Sequence, residues 1–240
     1  MSDSSRKTAV IYENADLFVL AKPAGMETVS QDGGADFLSL ARETTGEPGL
    51  AVAHRLDRDT SGAQLFARNP AAEKKLVALF RRREVEKTYC ALCLGKPRNA
   101  AGSINRRLSE WSGGRKPVTV LKQGGLEAST GYRVVAVSDW LGEDFRASLI
   151  AFHPHQGRTH QIRVHAAAFG YPILGDDQYG DRQANKAAKQ LWNLRRQALH
   201  SARLRFGWNG GVVDAVCPLA DDMQAALRAL WPDRSWDAGI

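Results

Sequence analysis

The sequence predicts an α+β fold: a largely antiparallel, mixed β-sheet flanked by helices and loops. Three observations predict it. Short apolar runs closed by turn residues outnumber the helical stretches, the strands come in groups, and the helical stretches carry recognisable end signals. The chain has 240 residues, 43% hydrophobic and 25% charged. That is enough for a packed core, and it excludes a stapled miniprotein, a collagen-like repeat and a wholly disordered chain. No period of 20 to 50 residues recurs, and no low-complexity tract interrupts the chain.

In chain order, residues 1–8 read as a flexible polar arm. Leu17–Ala21 reads as a short buried strand, ended by the turn signal Lys22-Pro-Ala-Gly25. A short helix follows over Asp36–Glu43, then the Gly46-Glu-Pro-Gly49 loop. Ala63–Ala67 is a strand directly after the polar run His54–Gly62. Asn69 is a good N-cap and Pro70 suits a first helical position, with Leu76, Leu79 and Phe80 at helical spacing behind them. Glu86–Leu94 returns to strand. Residues 97–127, rich in Gly, Arg and Ser, read as hairpin and loop. Thr130–Val137 and Phe145–His153 read as two strands joined around Asp139–Asp144. A helix is predicted from Gly157-Arg-Thr159 through Phe169, with Thr159 as N-cap and Gly170 as its stop. Residues 181–197 read as a basic helix, Leu199–Phe206 as a strand, and Asp221–Leu230 as a closing amphipathic helix.

The longest clean apolar run, Leu17–Ala21, is far below the ~20 residues a membrane span needs. The polar start lacks the apolar stretch of a signal peptide. The expectation is a soluble, cytoplasmic protein with no membrane partner. Cys90 and Cys93 form a C-x-x-C but fall on a predicted strand, where residues three apart face opposite sides. With Cys217 they are expected as small buried hydrophobes rather than as a metal or redox pair.

Thirty-three Lys and Arg against 26 Asp and Glu give a net charge of +7. Arg81-Arg82-Arg83, Arg106-Arg107, Arg115-Lys116 and Arg195-Arg196 are clustered. Any one of these suits a solvated face; together they point toward nucleic acid.

Two segments are dense in ionisable groups. In His54-Arg-Leu-Asp57-Arg-Asp-Thr-Ser-Gly62, Asp57 is flanked by Arg55 and Arg58, whose charge favours its ionised form. Thr60, Ser61 and Gly62 supply donors for a tight turn that could orient a carboxylate, and an oriented carboxylate can act as nucleophile or general base. A surface loop with incidental ion pairs stays open as the other reading. The second segment, Phe152–His165, holds four of the six histidines. His153 and His155 could share a strand face, but His160 and His165 would diverge by about 140° on a helix, and no H-E-x-x-H is present. A metal site, a basic anion-contacting face and structural histidines all remain open, the metal least favoured. Ile162, Ala166 and Phe169 form a stripe for the core; His160 and Arg163 lie off it, within about 60° of each other, and should point outside the core. Arg158 and the amides near Thr159 would form a phosphate-accepting helix N-terminus.

These segments resemble the RluA-type pseudouridine synthase family. His54-Arg-Leu-Asp57-Arg-Asp-Thr-Ser-Gly62 is similar to its H-R-L-D-x-x-T-S-G signature. Further matches follow family order at Lys22-Pro-Ala-Gly25, Glu86-Lys-Thr-Tyr89, Gly157–His165, Pro172-Ile-Leu-Gly-Asp176, Ala198-Leu-His200 and Pro218-Leu219. The resemblance implies the pseudouridine synthase fold, with residues 9–240 as one catalytic domain lacking the extra N-terminal RNA-binding module of some relatives. It implies isomerisation of uridine to pseudouridine in ribosomal or transfer RNA, with no cofactor and no metal. A cytoplasmic monomer with no obligatory protein partner is the accompanying expectation, not one the resemblance itself implies. Asp57 matches the catalytic aspartate and Tyr89 the tyrosine that stacks on the base and is implicated in removing the proton from carbon 5. Arg163 matches the arginine that pairs with the aspartate, and Arg55 the residue that fills the gap left by the extruded base. Arg158 and His160 are candidate RNA contacts, as are residues 97–127 and 181–197. Gln156 departs from the Thr more usual before Gly-Arg. The alternatives are a catalytically silent RNA-binding protein of the same fold and a hydrolase pairing Asp57 with Asp59.

Overall fold

The computed structural model describes residues 7–30, 32–112, 117–139 and 145–236. Its elements are β1 (Val10–Glu13), β2 (Leu17–Lys22), α1 (Phe37–Thr45), β3 (Ala51–Val52), β4 (Ser61–Ala67), α2 (Pro70–Arg81), β5 (Glu86–Leu94), β6 (Ala101–Asn105), β7 (Arg107–Leu108), β8 (Val120–Leu121), β9 (Ser129–Val137), β10 (Ala147–Pro154), α3 (Gln161–Ala168), α4 (Arg182–Trp192), β11 (Leu199–Trp208), β12 (Gly211–Val216) and α5 (Asp221–Leu230). They fall into two compact units. The first runs to Glu86 and includes Ser201–Pro218; the second spans Lys87–His200 and the stretch from Leu219.

In the first unit β2 lies between β1 and β4, antiparallel to both, with Leu17 opposite Ala67 and Lys22 opposite Gly62. β3 adds to β4, and β11 forms an antiparallel hairpin with β12. The unbroken apolar run of β2 has a physical reason. Leu17 and Val19 join Leu65, Leu76, Leu204 and Phe206 in one core, while Phe18 and Leu20 join Phe37, Ala41, Leu50 and Phe66 in another. A strand buried on both faces cannot alternate with polar residues. α2 supplies Ala72 and Leu76 to the first core, and α1 supplies Phe37 and Ala41 to the second. Both helices start on side-chain caps: Asp36 accepts from the Ser39 amide, and Asn69 accepts from the Ala72 amide with Pro70 next in line. Gly62 at the head of β4 has φ 113°, and a Cβ there would lie 2.3 Å from the Ser201 carbonyl oxygen. Only glycine fits.

In the second unit the strand order is β5–β10–β9–β6, antiparallel throughout, with a register shift between Leu149 and Ile150. β7 and β8 form a small separate ribbon. The Pro172–Asp176 stretch is laced to β5: Leu94 N donates to Pro172 O and Leu174 N to Leu92 O, while Ala198 N donates back to Leu174 O. Gly175, at φ 77°, has the Arg196 carbonyl oxygen 2.0 Å from where a Cβ would stand.

Several expectations change. α3 begins at Gln161, two residues after Thr159. His160 occupies the cap position in the left-handed region (φ 56°) and makes no side-chain cap hydrogen bond, while Thr159 is exposed. The basic helix ends at Trp192, because Asn193 turns left-handed (φ 55°), so residues 194–197 lie beyond it. β12 was not expected, although Asn209-Gly210, with φ 48° and 82°, is the turn that builds its hairpin. Residues 97–127 contain β6, β7 and β8. Arg115-Lys116, the connection over 140–144 and most of the arm lie outside the described residues. Thr8, at the arm's end, donates its amide to Thr44 Oγ1 at 3.2 Å and its hydroxyl to Ala21 O. Cys90, Cys93 and Cys217 are buried and unbridged; burial pushes the Cys90 and Cys217 thiols up to about 12, and Cys93 upward as well. No helix among the described residues is long and apolar enough to cross a membrane.

Candidate active site

Asp57 sits half-buried on the loop entering β4, beside exposed Arg55 and Arg58. This loop is held from below by Lys22. The Lys22 side chain is 1% exposed, and its Nζ donates to the carbonyls of Pro23, Arg58 and Thr60, each at 2.9 Å. Charge-assisted bonds of this kind contribute about 1.5–3 kcal/mol apiece. Gly25 N donates to Arg58 O at 3.0 Å, Arg58 Nε returns a bond to Gly25 O at 3.2 Å, and Thr60 N closes the turn on Asp57 O at 3.1 Å. On the other side Thr28 Oγ1 accepts from the Leu56 amide at 3.1 Å, and Gln64 Nε2 donates to His54 O. His54 is a scaffold residue: its Nε2 accepts from Leu65 N at 3.1 Å, and its ring stacks on Phe80 at 4.7 Å. The Lys22-Pro-Ala-Gly25 turn and the Asp57 loop are therefore one hydrogen-bonded body.

In the second unit Arg163 is 6% exposed. Its Nε donates to Asp176 Oδ2 at 2.7 Å and its Nη2 to Asp176 Oδ1 at 2.9 Å, a two-point grip. Asp176 Oδ1 also accepts the Gln178 and Tyr179 amides at 3.0 Å. The Tyr179 ring lies 5.0 Å beneath the guanidinium carbon. The Tyr179 hydroxyl accepts from Val118 N at 2.9 Å and lies 2.9 Å from His160 Nδ1. The expectation that Arg163 and His160 point outside the core is thus corrected: they converge on Tyr179, and Arg163 is buried because Asp176 and Tyr179 satisfy its charge and its flat face.

Tyr89, 9% exposed, lies on β5 opposite Phe152 of β10. Nearby, Lys87 Nζ donates to Gln156 O, and Gln156 Oε1 accepts from Ser129 N, so the glutamine ties two strand ends together. A buried relay follows: Gln161 Nε2 donates to Thr130 Oγ1 at 3.0 Å, Thr130 faces His165 Nδ1 at 2.9 Å, and His165 Nε2 faces Arg106 O at 3.0 Å. Desolvation by burial holds the His165 pKa below the usual value, which favours the neutral ring in this relay. Arg158 is half-buried. Its amide bonds Gln161 Oε1 at 3.0 Å and its Nε reaches Glu127 O at 3.4 Å, so that amide is already engaged and does not head the helix. The four clustered histidines disperse: His153 lies 3.3 Å from Thr88 Oγ1, His155 is exposed, and His160 and His165 have the partners just named. Among the described residues no group of three His, Cys, Asp or Glu could hold a metal ion.

Asp57 and Arg55 thus lie in the first unit, and Tyr89, Arg158, His160 and Arg163 in the second. The sequence reading assigned no role to Lys22, Gln161, His165, Asp176 or Tyr179. Lys22, Gln161, His165 and Asp176 stood inside quoted motifs, but nothing local says that a lysine at a strand end is buried. Tyr179 followed three residues after Asp176 without a pattern of its own.

Comparison with known proteins decides the family. Residues 16–168 match the model for RNA pseudouridylate synthase. The chain belongs to that family. Its RluA-type character follows from two curated relatives. Ribosomal large subunit pseudouridine synthase D of Zymomonas mobilis is 32% identical over 235 residues, covering 92% of this chain and 72% of that one. Ribosomal large subunit pseudouridine synthase C of Vibrio vulnificus is 36% identical over 231 residues, covering 94% and 70%. Human RNA Pseudouridylate Synthase Domain Containing 1 shares the fold, with a TM-score of 0.75, 24% identity, and coverage of 99% of this chain and 100% of that one. As an RNA pseudouridylate synthase the chain is an isomerase acting on RNA, and the matched span contains Asp57, Tyr89 and Arg163.

Proposed function

We propose that this pseudouridine synthase acts on specific uridines of ribosomal or transfer RNA, large-subunit ribosomal RNA first among them, and that Asp57 carries the chemistry. The names of its relatives support the ribosomal target. The observation that carries Asp57 is the clamp beneath it. A buried lysine bound to three loop carbonyls holds this carboxylate where its backbone cannot drift.

In the reaction the bond from N1 to C1′ breaks, the uracil turns, C5 bonds to C1′, and the C5 proton leaves as N1 gains one, so substrate and product are isomers. The carboxylate can attack C6, attack the sugar, or assist a glycal route. The uridine must first leave its stack, at a cost of a few kcal/mol. Stacking on Tyr89 offsets about 1–3 kcal/mol of that, and exposed Arg55 fills the vacated place. Arg163 supplies the positive charge of the centre; Arg158 and His160 contact RNA. The enzyme works without cofactor, as a cytoplasmic monomer.

The test is carbodiimide mapping of pseudouridine across ribosomal and transfer RNA with and without the gene, paired with purified Asp57→Ala. Loss of defined sites, and a variant that binds RNA but does not turn over, is the expected result. Appreciable isomerisation by Asp57→Ala overturns the assignment. An unchanged pseudouridine map with intact RNA binding favours the catalytically silent alternative.

A further inference from the structure

On the first unit, a cleft of about 450 Å³ opens between α2 and the β11–β12 turn. Its lining includes Lys74, Lys75, Leu79 and Arg82 from one face of α2, and Trp208 and Asn209 from the turn. The α2 residues fall within about 140° of helix circumference at 100° per residue, beside the stripe that buries Ala72 and Leu76. Three of the lining side chains are cations and none is a carboxylate. The nearby acid, Asp16, is engaged: its Oδ2 accepts from Trp208 Nε1 at 3.0 Å and Asn209 Nδ2 at 2.8 Å. These bonds, with the edge-on contact to Phe206, fix the indole, and Lys75 Nζ stands 5.8 Å over its ring. Arg82 meets Glu84 at 3.0 Å with both side chains about half exposed, a pair a phosphate can displace at little cost.

The opposite side of α2 meets the Asp57 loop. Phe80, near the end of α2, stacks on His54. The exposed Arg81, Arg82 and Arg83 directly follow Phe80 in the chain. From Arg82 back to Lys74 is about 12 Å along the helix, roughly three phosphates of a stacked strand.

We propose that this cleft is a second RNA-binding site, in which Lys74, Lys75 and Arg82 receive the phosphates of a single strand flanking the target uridine. It rests on the chain being an RNA-acting enzyme, and it places RNA contacts on α2 in addition to residues 97–127 and 181–197. The occupant is a polyanion rather than an acidic protein because three cations and no carboxylate line this cleft of an RNA-acting enzyme, spread over about 12 Å of one rigid helix face.

The test is the affinity of full-length Lys74→Gln/Lys75→Gln for ribosomal RNA fragments, measured against salt and independently of turnover. Two lost single-strand phosphate contacts lower the salt slope by about 1.4 and raise Kd roughly 25-fold at 0.1 M salt. Wild-type affinity and slope in the variant overturn the proposal. Because binding is read apart from isomerisation, failure of the uridine-isomerase reading would show in turnover by the wild type, and failure of this one in the variant's binding curve.

Discussion

Arg163 and Asp176 meet through two parallel hydrogen bonds at 2.7 and 2.9 Å, with side chains 7% and 1% exposed. A buried ion pair survives only when both partners keep their bonds, since an uncompensated charge in a dry site costs several kcal/mol. Asp176→Asn should therefore lower stability by about 3–5 kcal/mol, measured by urea unfolding. Isomerisation should fall with it at temperatures where the variant is still folded. A stability loss under 1 kcal/mol would mean that Asp176 is not the anchor of Arg163.

Lys22→Met keeps the aliphatic stem and removes the ammonium that binds the Pro23, Arg58 and Thr60 carbonyls. Buried acceptors left unsatisfied cost about 1–3 kcal/mol each, so a loss of at least 3 kcal/mol is expected. In a stabilised background the variant should lose kcat more than RNA affinity, because the loop that orients Asp57 loosens while the basic surface is untouched. Equal loss of both would sink the positioning role.

His165 titrates below its ordinary value in the folded chain, burial being the largest cause. The unfolded chain then binds the proton more readily. Stability is fully present above about pH 6.5, falls as pH drops from there toward the folded pKa, and levels below it. Urea midpoints measured from pH 7.5 to 5 should show that decline, and His165→Gln should flatten it. Identical profiles for the two proteins would remove His165 as the source.

Tyr89→Phe keeps a ring on β5 for stacking and removes the hydroxyl. Single-turnover isomerisation should slow by about 10²-fold or more while RNA affinity changes less than twofold, if the phenol takes the C5 proton. A wild-type single-turnover rate would leave Tyr89 with stacking alone.

Much of the fold was readable because local signals and burial agreed. The run Leu17–Ala21 demanded a strand covered on both faces. Asp36 and Asn69 marked helix starts that their side-chain bonds bear out, Pro70 takes the first position of α2, and β5 and α5 fall where expected. What escaped depended on long-range partners. Thr159 is an acceptable cap by type, but His160 adopts a left-handed backbone while its ring engages Tyr179, nineteen residues on, and the helix starts later. β12 was signalled by Asn209-Gly210, yet its alternation is weak because Val212 and Val216 face solvent. Among the candidate site residues, Asp57 and Tyr89 were named through the resemblance. The lysine below Asp57 was not, because burial of an ammonium is set by three carbonyls up to 38 residues away.

Tyr179 draws one last consequence. A single phenol receives the backbone of Val118, faces the imidazole of His160 and underlies the guanidinium of Arg163. Val118, beside the β7–β8 ribbon, is thereby tied through one ring to the buried Arg163–Asp176 pair. A displacement of Val118 would therefore be felt at Arg163 through a single side chain.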